Sequence, residues 1–161
     1  MSNQNNVATK IALDGFTRQL KTTSQLFESL TDEQLAQETA PGRNSGIYLL
    51  GHLTAVHDAM LPLLGLGDMK HAELVDVFIK NPDKSGLQKP AASQLRAAWN
   101  ETNNNLLSKL NELSEEQWFE KHTAVSEEDF KKEPHRNRLN VVIGRTTHLA
   151  YHTGQAAYLK K

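Results

Sequence analysis

A chain of 161 residues, 38% hydrophobic and 23% charged, is long enough to enclose one core and ordinary in composition for a globular protein. Its formal net charge of −1, with Lys and Arg scattered, excludes the clustered basic face that nucleic acid calls for. It has no cysteine, which excludes disulfides, thiolate metal sites and cysteine nucleophiles, so any metal would be held by His, Asp or Glu.

The start, M-S-N-Q-N-N, is polar and argues against a secretory leader. No apolar run approaches the roughly 18–20 residues that span a bilayer. The expectation is one domain over residues 1–161, cytoplasmic, with neither membrane nor nucleic acid as a partner.

Apolar residues recur at helical spacing, and no stretch alternates with period two. The first predicted helix, residues 5–30, puts Leu13, Phe16, Leu20, Phe27 and Leu30 on one side. The second, residues 45–64, carries Leu49, Leu53, Val56, Met60 and Leu63 on one stripe. Pro41-Gly42 separates the two. A long connection follows, in which residues 71–80 read as a short extra helix. The third helix, residues 93–113, aligns Leu95, Trp99, Leu106, Leu110 and Leu113. Residues 120–137 are charged and weakly periodic, and read as a long loop. The fourth helix, residues 138–159, aligns Val141, Leu149, Ala156 and Leu159. Four amphipathic helices, each covering a shared core with one stripe, predict an all-α four-helix bundle with a long crossover between helices two and three.

L-T-D-E-Q-L at residues 30–35 echoes L-S-E-E-Q-W at residues 113–118. Both fit a capping box, in which side chains satisfy free amides at a helix start. They read either as two ordinary capped turns or as the marks of two related helical hairpins.

Seven histidines are sorted by helical phase. His148 and His152 lie about 40° apart on the inward stripe of the fourth helix. An H-x-x-x-H pair can hold one ion, as in zinc motifs, and the competing reading is two hydrogen-bonded core residues. In the second helix His52 and His57 diverge by about 140°, on opposite flanks of the stripe, and phase barely separates them. Asp58 is phased opposite the stripe and reads as solvated. His71, His122 and His135 fall in connections and read as exposed.

N-S-G-I-Y-L-L-G-H-L, residues 44–53, resembles the second-helix motif of the DinB-like (YfiT-like) superfamily, whose pattern is roughly S-I-x-x-L-x-x-H-(L/I). Gly46, between Ser45 and Ile47, departs from that pattern by a shift at the helix start. H-L-A-Y-H-T-G-Q, residues 148–155, resembles the same superfamily's fourth-helix H-x-x-x-H-x-x-Q. Order, separation and helix count match over nearly the whole chain. The resemblance implies an up-down-down-up bundle and a three-histidine metal site formed by His52, His148 and His152. It prefers His52 to His57, for which it offers no counterpart. Three imidazoles would leave a coordination position open, the catalytic arrangement, for a divalent transition metal: Zn, Ni, Fe or Mn.

Such an ion could activate water for hydrolysis or bind a thiolate. The superfamily includes thiol-dependent transferases and isomerases. The expected function is therefore a metal-dependent hydrolase or thiol-dependent transferase acting on a small molecule, with a thiol among the candidate substrates. The alternative is a non-catalytic metal- or ligand-binding stress-response module. Gln155 could hydrogen-bond a ligand imidazole or bound water. Arg145 could hold a carboxylate bidentately, against the plainer reading of a rim salt bridge. No carboxylate is phased beside His148 or His152, which disfavours an H-E-x-x-H protease mechanism. Tyr151 and Tyr158 form a second aromatic flank on the fourth helix, and a homodimer is expected.

Overall fold

The computed structural model describes residues 2–160. Helix α1 spans Ser2–Ser29 and is followed by the short α2, Asp32–Leu35. Helix α3 is Gly46–Asp58, and α4, Met60–Leu63, continues from it after a break at Ala59. Pro62 explains the break, because it has no N–H for the carbonyl four residues back. A π-helical turn, Asp76–Lys80, interrupts the long crossover. Helix α5 covers Ala92–Asn111, α6 Glu115–Trp118, α7 Glu127–Lys132 and α8 Arg138–Ala157. Among the described residues there are no β-strands, only isolated bridges that pinch loops shut, at Glu38–Ser45 and Lys121–Asn137.

The two capping boxes act where they were read, and the structure adds further caps. Thr31 and Gln34 form a capping box at α2, and Ser114 and Gln117 form its counterpart at α6. Ser45 caps α3 by accepting the Tyr48 amide, so Gly46 is the first helical residue, which explains the shifted motif start. Asn137 caps α8 in the same way through Asn140 N–H. In the turn before α3, Gly42 adopts φ 76°, a left-handed conformation that favours glycine.

Three expectations about local structure are corrected. The short helix expected over residues 71–80 starts later, at Leu74, and is π-wound from Asp76 to Lys80. The segment 120–137 is not all loop, because Ser126 caps α7 within it by accepting from Asp129 N–H. Helix α3 is not buried along a single stripe. Every residue in it is buried except Ile47 and His52, which are half-buried. An apolar helix of this kind sits at the centre of a fold, with neighbours on all sides. It packs on α5, on the π-helical turn and on α8, while α1 lies along α8. Where α1 meets α8, the Thr23 and Thr153 hydroxyls approach to 2.7 Å, and the Gln19 amide donates to Thr153 at 3.3 Å.

Asp58 is also corrected. It is fully buried at the end of α3, not solvated. The crossover folds back over that end, and the amides of Lys70 and His71 donate to its two carboxylate oxygens at 3.1 and 2.7 Å. A carboxylate removed from water is stabilised by such charge-assisted bonds. Asp58 thus ties the crossover down next to the π-helical turn.

Candidate metal centre

Helix α3 presents His52, and α8 presents His148 and His152 one turn apart. The Nε2 of His148 lies 3.3 Å from that of His52 and 3.1 Å from that of His152. The three rings meet edge to face. With Zn–N bonds of 2.0–2.1 Å, tetrahedral ligand nitrogens are about 3.3 Å apart, so the observed spacing suits a first-row ion.

Hydrogen bonds fix what each nitrogen offers. His52 Nδ1 is 2.8 Å from the Phe78 carbonyl. A carbonyl only accepts, so Nδ1 carries the proton and Nε2 keeps its lone pair. His152 Nδ1 is 2.7 Å from Gln155 Oε1, and the other end of that amide donates to the Tyr151 hydroxyl at 3.1 Å. His152 Nδ1 therefore donates too, leaving a second lone pair at Nε2. Both lone pairs point at His148 Nε2, and a single proton there could satisfy only one of them. The buried Nδ1 of His148 has no hydrogen-bond partner. A cation accepts lone pairs from all three rings at once, so these residues fit a metal. The three imidazoles form a group able to hold an ion, with no carboxylate among them.

Electrostatics keeps the rings neutral. Burial pushes His148 down to about 4, and the neighbouring His152, His52 and Arg145 add to the effect. Burial also lowers His52 and His152, while the bonds to Phe78 and Gln155 pull each partly back. Neutral imidazole is the form that binds metal.

The π-helical turn orients His52. The Phe78 carbonyl accepts from His52 and, at 3.3 Å, from the Tyr48 hydroxyl, which also donates to the Asn81 carbonyl at 2.7 Å. The Tyr48 ring stacks parallel to that of His52. Phe78 can come this close because residue 51 is glycine. A Cβ there would lie 2.3 Å from the Phe78 ring, an impossible contact. Sequence reading missed Phe78, which offers only a backbone carbonyl. The available signal was Gly51, an isolated glycine inside an apolar helical pattern.

His57 is not part of the cluster. It is fully buried, and its Nδ1 donates to Asn103 Oδ1 at 2.6 Å. The Asn103 amide is held in turn by its bond to the Trp99 carbonyl at 2.8 Å. Phe16 and Trp99 flank the ring. Burial drives its pKa down to about 4 despite the Asn103 bond. His71 and His122 are half-buried, against expectation, and His135 is exposed. His71 approaches Glu101 at 3.3 Å and Glu73 at 3.4 Å, away from the three-histidine group.

Arg145 stands one turn before His148 on α8. The rim salt bridge expected for it is absent among the described residues, and it is half-buried.

Comparison with known proteins adds a family. The family model described as the DinB superfamily matches residues 16–156, which include all three converging histidines, all of α3 and α8 as far as Ala156. No curated protein matches the chain. Among the described residues no helix is long and apolar enough to cross a membrane.

Proposed function

The chain belongs to the DinB superfamily, and from that membership we propose that it is a metal-dependent enzyme acting on a small molecule, by hydrolysis or by thiol-dependent group transfer. The observation that carries this reading is the convergence of three neutral imidazole lone pairs with no fourth protein ligand in the group. In the same reading the four long helices, α1, α3, α5 and α8, make a bundle, and the metal lies between the second and fourth of them. His52, His148 and His152 would hold Zn, Ni, Fe or Mn; imidazole suits several of these. When bound, the ion supplies Lewis acidity and an open coordination position, which lowers the pKa of a water or thiol placed there.

The chain's own residues have separate tasks. The Phe78 carbonyl and Gln155 hold Nδ1 protonated on His52 and His152, so that Nε2 faces the ion. Tyr48 and Gly51 keep the π-helical turn seated against α3. The thiol of a transfer reaction would come from a substrate, since the chain has no cysteine. One observation favours a second reading, a binding module without turnover: no carboxylate stands in the group to act as general base. We further propose a homodimer formed through the outer face of α8, where Tyr151 and Tyr158 are 63% and 78% exposed.

The test is metal analysis of protein purified without a histidine tag, followed by a screen of ester, amide and thiol-transfer substrates. One ion per chain in the parent and none in His52→Ala, His148→Ala or His152→Ala is expected. Variants that keep the parent's metal content would overturn the site. Full metal loading without turnover on any substrate class would favour the binding module.

A further inference from the structure

Four arginines in the chain are half-buried: Arg96, Arg136, Arg138 and Arg145. The first three have acceptors. Arg96 donates to the carbonyls of Phe27 and Leu30 and to Asp32. Arg136 pairs with Glu133. Arg138 bonds the carbonyls of Leu64 and Gln117 and pairs with Glu120. Arg145 has five N–H donors and neither hydrogen bond nor ion pair among the described residues. Partial burial disfavours its charge, in keeping with its lowered pKa, and none of its nitrogens is sealed from the surface.

Its position makes that unmet charge informative. Residues three apart on a helix share a face, so Arg145 and His148 lie on one side of α8. Burial is what chiefly holds His52, His57 and His148 neutral, and the nearby guanidinium adds to it at all three. The metal-ligating group contains no carboxylate. With neutral ligands a bound dication would keep its full charge, and Arg145 would add another beside it. Such a site calls for an anion from outside the chain.

We propose that Arg145 anchors a carboxylate of the substrate, held by the guanidinium while another group of the same molecule reaches the open face of the three-histidine centre. This rests on the metal-site reading above and narrows its substrate to small carboxylates. A planar carboxylate matches the guanidinium fork, and one facing cation suits a monoanionic group better than a phosphate dianion.

The test titrates the full chain, metal-free and cobalt-loaded, with succinate, inorganic phosphate and neutral succinamide. Calorimetry measures affinity, and ¹⁵N NMR follows the Arg145 Nε–H. Succinate is expected to bind the cobalt-loaded parent and shift that resonance, and succinamide to do neither. Arg145→Gln should weaken succinate at least ten-fold while cobalt content and circular dichroism stay at parent values, and Arg145→Lys should recover part of the loss. Equal succinate affinity in the parent and Arg145→Gln overturns the anchor. Phosphate outcompeting succinate at equal concentration overturns the carboxylate assignment. A parent that takes up cobalt but binds no succinate also overturns the anchor and leaves the metal reading intact. A parent that takes up no cobalt yet shows the succinate-induced Arg145 shift supports the anchor, and it is then the metal reading that fails.

Discussion

His52 and His57 stand five residues apart on one helix, yet they occupy opposite environments. His52 is one of two half-buried residues in an otherwise buried α3, and its Nε2 is aimed at two other imidazoles. His57 is sealed between Phe16 and Trp99, and its one hydrogen bond goes to Asn103. Both are neutral tautomers with the proton on Nδ1. What differs is the surroundings of Nε2: a cluster of lone pairs in one case, apolar and aromatic packing in the other. The same side chain is therefore a candidate ligand at one position and a core residue at the other. Helix phase does not separate the two, and neighbouring elements do.

The largest test of this contrast exchanges which residue is removed. His52→Ala should weaken zinc binding on the order of 100-fold or more, beyond the 10–100-fold typical of outer partners, with a small effect on stability of the metal-free chain. Asn103→Ala should do the reverse. It should cost about 1–3 kcal/mol in urea denaturation, because it strands the buried His57 Nδ1–H, and leave zinc affinity unchanged. If Asn103→Ala loses metal, the two histidines are not independent and the contrast fails.

A pH experiment addresses the sealed histidine. Its folded pKa of about 4 lies below the ordinary 6.5. Between those values the unfolded chain binds the proton and the folded chain does not. Stability therefore rises with pH across this window: it is complete above about 6.5 and is lost as pH falls toward 4. For a fully buried ring the difference is on the order of 3 kcal/mol. Denaturation of metal-free protein at a series of pH values should show a shallower loss in His57→Gln than in the parent. Parallel curves would mean that His57 gains its proton in the folded state.

A smaller effect is expected where the π-helical turn meets α3. Gly51→Ala puts a methyl group into the Phe78 ring and should move the Phe78 carbonyl away from His52 Nδ1. A loss of roughly 10–100-fold in zinc affinity follows, read by competition with a chromogenic chelator. Gln155→Ala removes a single half-buried partner of His152 and should lie near the low end, about 10-fold. Equal affinity in the Gly51→Ala variant and the parent would show that the carbonyl does not orient the ring.

Much of the site was legible because it follows helical periodicity. The i, i+4 spacing of His148 and His152 puts them on one face, and Gln155 follows within reach of His152. The capped turns at Thr31 and Ser114 were legible because capping is local chemistry between residues three apart. Other features were hidden because their partners are distant in sequence. Asp58 reads as solvated on its own helix, and only the amides of Lys70 and His71 make its burial tolerable. Arg145 reads as a rim ion pair, and only the assembled fold shows that no carboxylate among the described residues reaches it.

By itself the sequence determined the all-helical character, the inward pair on α8, the capping boxes that start α2 and α6, and the absence of any thiolate ligand. These depend on periodicity, on local hydrogen bonding and on composition, none of which needs a distant residue. The tertiary structure decided which histidine of α3 joins the pair, which nitrogen each ring offers, and which half-buried arginine is left without an acceptor among the described residues. Those outcomes depend on carbonyls, amides and apolar walls brought in from elsewhere in the chain. Phe78 reaches His52 across the crossover and Asn103 reaches His57 from α5, and neither contact has a signature in the segment it serves.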